Sequence, residues 1–385
     1  MRKFDLKILL VLSLGHLSTD IYQGALPAIL PFLKEKLSLS YSMAGIIMLA
    51  SSVTSSVIQP LFGLLSDKKE KPLLLPVGCL LAGLGFSLLS LPSHFAPILL
   101  LVIISGLGVA SYHPEGFKTA YYYTGTRAAT GMSVFSVGGN LGFALGPVVS
   151  VAIITHLGFN FLPVMGGVSL VFLAVLSFYW KDLIIPKNLG DRKNTDIRTA
   201  VKGVSAPLLI IIGTVILRSW THAGLMTFIP FYYIDYLNGD PLYAGTLVSV
   251  FLLGGVLGTL GGSPLADRFG HKKYLTLSLA LTTLLFPLIF FLKGIMLFVA
   301  LGIIGMVLIS TFTVTIVMAQ HLLPGNLGVA SGLMVGFAIG TGGVGVTLLG
   351  LLADHFGVPV ALRSIAILPF SAFIISLGLR YPGRK

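Results

Sequence analysis

The chain has 385 residues, 55% hydrophobic and 10% charged, a mean hydropathy of +0.96 and a net charge of +12. So apolar a composition excludes an ordinary water-soluble globule. Its single cysteine, Cys79, excludes an internal disulfide and any Cys-clustered metal site.

In chain order, apolar runs cover residues 8–31, 43–65, 73–92, 96–118, 129–155, 160–180, 205–232, 242–266, 274–292, 294–319, 328–352 and 358–379. Each is near the ~20 residues a helix needs to cross the hydrocarbon. The expectation is an all-α membrane protein with twelve transmembrane helices. The first run passes into Pro27 and Pro31 without a small-residue cleavage site, so it reads as a retained helix and the mature chain is expected to begin at Met1. With both termini in the cytoplasm, twenty Lys and Arg residues lie inside against Lys34, Lys36, Lys293 and Arg363 outside. The positive-inside rule fixes that orientation, and the basicity becomes a signal of topology rather than of a nucleic-acid partner.

The charged stretch KDLIIPKNLGDRKNTDIRTAVKG (181–203) divides six runs from six. The expected units are an N-terminal bundle over 1–181, a cytoplasmic linker over 182–203 and a C-terminal bundle over 204–385. The halves echo each other: GLLSDKKEKP (63–72) matches GSPLADRFGHKK (262–273), and GTRAATGMSVFSVGGNLGFALG (125–146) matches PGNLGVASGLMVGFAIGTGGVG (324–345). Repeated halves of this kind are expected of a carrier whose two bundles rock about a midplane site. Gly138, Gly139, Gly142, Gly340, Gly342 and Gly343 read as close-packing positions between helices.

Polar residues inside the runs are the candidate site. His16 and Asp20 are four apart on the first helix, with Gln23 three further on, so they share a face. An acid there must face protein or water, as a protonation site or a structural anchor. In the fourth helix, GVASYHPEGFKTAYYY (108–123) places His113 and Glu115 on either side of Pro114, which is expected to bend the helix. Glu115 has Lys118 or another helix for a partner, so it is either a proton acceptor or half of a structural pair. Asp20, Glu115, His16 and His113 are thus the proton-coupling candidates. In the seventh helix Arg218 and His222 share a face, and Arg218 needs an acid or an anion. Asp20 and Glu115 are the carboxylates within the runs, so Arg218 is expected either to alternate between one of them and an anionic substrate or to hold one of them in a fixed structural pair. Gln23 and Gln320 complete the substrate-binding candidates, although Gln320 and His321 lie near a helix end where a surface role competes.

The Asp and basic cluster after the second helix resembles the signature loop of the major facilitator superfamily, with Glu70 and, in the second copy, Ser263 standing where glycines are usual. Gly142, Gly146 and Pro147 match its antiporter motif, with Ser150 and Val151 replacing the closing glycines. SYHPEG, SVGGNLGFALGP (136–147), IQPLFGLLSDKKEKP (58–72) and MAQHLLPGNLGVASGLMVGFAIGTGGVG (318–345) are similar to the fosmidomycin resistance protein family of drug exporters. The resemblance implies two pseudo-symmetric six-helix bundles of the major facilitator fold. It also implies a gate at Asp67, Arg127, Asp267 and Arg268, and proton-coupled export of a drug or organic anion, such as a phosphonate, across the cytoplasmic membrane. The expected partners are a small-molecule substrate, protons and the lipid bilayer, with the protein a monomer and no cofactor or metal. An uptake symporter of an organic anion is the alternative in the same class. An intramembrane enzyme or lipid scramblase is the rival from another, disfavoured because no HExxH spacing and no nucleophile with an evident base is present.

Overall fold

Lipid offers the backbone no hydrogen bonds, so apolar runs of this length can cross it only as helices that satisfy themselves. The computed structural model describes residues 4–67, 71–125, 128–184, 205–323, 330, 333–334, 336 and 340–381, apart from the side chains of Leu64, Asp67, 128–130, Ser205 and Ser263. Its crossings are Leu6–Leu37, Tyr41–Gly63, Leu74–Ser90, Phe95–Tyr123, Ala128–Leu157, Phe159–Leu183, Ala206–Tyr236, Pro241–Phe269, His271–Phe290, Gly294–Leu322, Gly342–Phe356 and Val358–Leu377. Each of the twelve expected runs holds a helix among the described residues, nine of them long and apolar enough to cross a membrane. The expected linker lies almost wholly outside the described residues, as does the start of the eleventh helix.

Helix ends follow local chemistry. The first helix begins where the Asp5 carboxylate accepts from Ile8 N at 3.1 Å and ends at Ser38, which takes a left-handed φ of 51°. It runs past its apolar stretch, with Lys34 and Lys36 near its last turn. Pro27, Pro31 and Pro114 all lie within continuous helices, so the bend expected at Pro114 does not break the fourth crossing. The second crossing instead carries a π-helical turn over Val53–Val57, and the seventh ends in another over Phe231–Tyr236. Such turns widen the helix and re-aim side chains.

Within each bundle the packing repeats. The first crossing lies on the fifth and the seventh on the eleventh; the second and third lie on the fourth, as the eighth and ninth lie on the tenth. Between bundles, the second crossing meets the eleventh and the fifth meets the eighth. Glycine makes both kinds of contact close. A Cβ on Gly138 would lie 1.9 Å from Ser13 O and one on Gly142 2.4 Å from Leu17 O, so the first and fifth helices touch backbone to backbone. On the seam between bundles, a Cβ on Gly343 would lie 2.4 Å from Leu49 Cα and one on Gly45 2.5 Å from Thr347 Cα.

Candidate functional site

The N-terminal bundle gathers three of the expected polar residues into one buried cluster. Asp20, 8% exposed, has Oδ2 3.2 Å from His16 Nε2 and Oδ1 3.1 Å from His113 Nε2. The two imidazoles face each other with Nε2 to Nε2 at 3.2 Å. Helical spacing brings His16 beneath Asp20; the fourth crossing supplies His113. The Asp20 Oδ1 contact is a close approach without hydrogen-bond alignment.

Neighbours fix the protons on both rings. His16 Nδ1 lies 3.0 Å from the Phe135 carbonyl, which can only accept, so Nδ1 carries a hydrogen and a neutral His16 presents a bare Nε2 to Asp20. Gln59 Nε2 donates to Ser55 O at 2.7 Å, which orients the amide and turns its NH2 toward His113 Nδ1 at 3.4 Å. His113 Nδ1 is then the acceptor and Nε2 carries the hydrogen. With both rings neutral and Asp20 ionised, lone pairs face each other between His16 Nε2 and Asp20 Oδ2. One further proton fills that contact.

Glu115 stands apart from this cluster. It is 1% exposed and paired with Lys118, one turn on, at 3.0 Å; Lys118 also donates to Ser66 O at 2.6 Å. Of the two kinds of partner open from the sequence, the local one, Lys118, is present, and its bond to Ser66 O ties the fourth crossing to the end of the second helix.

In the C-terminal bundle Arg218 is 5% exposed. Its Nη1 lies 3.5 Å from Thr311 Oγ1 and its guanidinium lies 5.1 Å from the Phe312 ring centroid. The internal carboxylate expected for it is not there: Asp20 faces the two histidines and Glu115 faces Lys118. Among the described residues no acid pairs with Arg218. His222, one turn on, lies between the rings of Phe143 and Phe251, with centroids 6.3 and 5.6 Å away. Phe143 belongs to the fifth crossing, so His222 bridges the two bundles.

The remaining expected residues lie elsewhere. Gln23 lines a small cavity with Tyr22, Ser51 and Phe86. Gln320 is nine residues beyond Thr311 on the tenth crossing, about 13 Å along the axis at 1.5 Å per residue, which separates it from Arg218. Asp267 is exposed and pairs with His271 at 3.2 Å within its own bundle, while Arg268 lies over Phe269. The side chain of Asp67, and Arg127 altogether, lie outside the described residues.

One polar group escaped sequence reasoning. At the end opposite the termini, Lys34 of the first crossing lies 3.1 Å from Asp235 Oδ2, which also accepts from Tyr41 Oη at 3.2 Å. Asp354 of the eleventh crossing accepts from Tyr41 N at 2.7 Å and Ser42 N at 3.0 Å, capping the second crossing from the other bundle. These residues flank the apolar runs and read as loop charges. The signal available was the scarcity of acids: a chain with thirteen Asp and Glu in 385 residues has few to spare for loops.

The sequence profile described as the Major Facilitator Superfamily matches residues 12–334 and 211–385. The MFS-type transporter YfnC of Bacillus subtilis is 36% identical over 368 residues, covering 94% of this chain and 90% of that protein. The fosmidomycin resistance protein of Escherichia coli is 33% identical over 374 residues, with the same coverage of 94% and 90%. Among solved structures, a mutant of the nucleoside transporter NupG superposes with a TM-score of 0.78 at 15% identity, covering 97% of this chain and 100% of that one. A bacterial homologue of the human lysosomal transporter Spinster gives 0.73 at 14% identity, covering 97% and 94%.

Proposed function

The chain belongs to the Major Facilitator Superfamily, and from that premise we propose that it is a proton-coupled exporter of small organic anions. The observation that carries the reading is Arg218, a buried guanidinium with no acid beside it among the described residues. A permanent cation held in mid-membrane favours a ligand that brings the missing negative charge. The relative named for fosmidomycin resistance supports a drug-like anion as cargo. Asp20, His16 and His113 are the proton carriers in this reading, because their contacts lack one hydrogen, and Glu115 with Lys118 couples the fourth crossing to the end of the second helix at Ser66. The Lys34, Asp235, Tyr41 and Asp354 contacts form the outer latch of an alternating-access cycle, with both termini in the cytoplasm.

The test is export itself. Cells lacking their own exporters and expressing this chain should tolerate more fosmidomycin than cells expressing Arg218→Leu at equal membrane abundance. Everted vesicles energised acid-inside should accumulate the compound. Accumulation driven by the opposite gradient would establish uptake symport instead.

A further inference from the structure

We propose that His16, Asp20 and His113 form a binding site for a divalent transition-metal ion of the zinc type. The three donor groups are brought together from two helices and lie within 4.8 Å of one another. Their closest approaches are 3.2 Å between the two Nε2 atoms, 3.2 Å from His16 to Asp20 and 3.1 Å from His113 to Asp20. A tetrahedral zinc ion with bonds of about 2.0–2.1 Å holds its ligands about 3.3 Å apart, so the two Nε2 atoms stand at the spacing of one edge of the tetrahedron, and Asp20, which meets His16 with Oδ2 and His113 with Oδ1, would turn to bring one of these oxygens to the third position. The fourth position is left for water or an anion. Two imidazoles and one carboxylate are the ligand type that selects zinc and its first-row neighbours over magnesium or calcium.

Groups behind the ligands are placed to serve an ion. A metal-bound imidazole almost always donates its other N–H to a carbonyl or carboxylate, which fixes the ring and bares the coordinating nitrogen. His16 already does this through Nδ1 to Phe135 O at 3.0 Å. Its ring is further set by stacking on Phe135 at 4.4 Å and by Gly139, where any Cβ would lie 2.3 Å from Nε2. His113 differs: Gln59 gives its Nδ1 a donor, so the hydrogen sits on the nitrogen that would coordinate. Metal binding therefore requires the His113 hydrogen to move to Nδ1 and the Gln59 amide to turn its oxygen toward it. Gln59 becomes the residue that tunes affinity. A carboxylate in its place would hold the Nδ1 hydrogen without rearrangement.

Binding rests only on this geometry. Its consequence for transport rests on the proposed coupling role of the same three residues, since an ion in the cluster excludes the proton. The experiment uses the purified full-length protein in detergent. Zinc chloride is titrated by equilibrium dialysis, and cobalt chloride is titrated by visible absorption, whose band intensity reports four-coordinate geometry. One ion per chain is expected, with saturable binding lost in His16→Gln, His113→Gln and Asp20→Asn but kept in His271→Gln with His321→Gln. Gln59→Glu should tighten binding by roughly 10-fold, the scale of an outer-shell partner; since it adds a favourable contact, it separates ligation from mere loss of fold. Binding that survives the three substitutions, or the lack of an intense cobalt band, overturns the proposal. In proteoliposomes, saturating zinc should stop proton-driven transport. Triad-dependent binding without inhibition keeps the metal site and removes the coupling role, whereas absence of binding with inactive Asp20→Asn removes the metal site and keeps the coupling role.

Discussion

His16 and His113, 97 residues apart in sequence, meet Nε2 to Nε2 at 3.2 Å with Asp20 against both. Only one hydrogen is available between the rings when both are neutral, so any second proton entering the cluster must settle against the Asp20 carboxylate. Asp20→Asn keeps the shape and removes that acceptor. Transport driven by a pH gradient should fall to background in proteoliposomes, while exchange of labelled for unlabelled substrate continues, because exchange needs no net proton movement. Gradient-driven transport at the parent rate would move the coupling role to Glu115.

Gly139→Ala tests how narrowly the His16 ring is held. The added methyl would lie 2.3 Å from Nε2, and the ring cannot simply swing away while Nδ1 donates to Phe135 O. Overpacking of this kind costs about 1–3 kcal/mol. A lower midpoint of thermal unfolding is expected together with loss of coupling. An unchanged midpoint with normal transport would show that the ring is free to move.

Arg218→Lys retains the charge but not the planar fork. Affinity for anionic substrates should fall by about 10- to 100-fold, the loss of one or two charge-assisted hydrogen bonds. Unlike removal of half of an ion pair, the substitution leaves no carboxylate unpaired among the described residues, so thermal stability should change little. Ligand-induced thermal stabilisation measures both quantities. Equal affinity in parent and variant would rule out Arg218 as the anion contact.

The latch gives a fourth prediction. Asp354→Ala removes the acceptors that hold Tyr41 N and Ser42 N from the other bundle while leaving the Ser40 cap in place; a loss of about 1 kcal/mol shifts a two-state equilibrium roughly five-fold. A cysteine introduced by Leu49→Cys in a Cys79→Ser background, in the seam against Gly343, should react faster with an impermeant thiol reagent added outside. Asp235→Asn should act in the same direction, since it weakens the contacts to Lys34 and Tyr41. Slower labelling in both variants would mean that the contacts do not hold the closed state.

Crossings and repeated halves were legible because both are written locally, as apolar length and as recurring loop chemistry. The Glu115–Lys118 pair was legible for the same reason, since one helical turn connects them. The meeting of His16 and His113 was not, because spacing on one helix assigns a face but not the helix opposite. Arg218 was expected to hold an acid on grounds of charge balance alone. Competition decided otherwise: each intramembrane acid has nearer partners, Asp20 by one turn of its own helix and Glu115 by one turn of its own.

The glycines at 45, 343 and 350 give the seam between the second and eleventh crossings an unusual mechanical character. At Gly350 a side chain would strike Tyr41 O at 2.5 Å, as it would strike backbone at the other two. Here smooth surfaces abut where knobs would otherwise mesh in sockets. At these three points no side chain has to climb out of a pocket for the surfaces to part, which leaves the polar contacts at the outer rim a larger share of the resistance to opening. The joint behaves as a polished bearing closed by a clasp: the clasp sets how long it stays shut, and the bearing adds little friction once it is released.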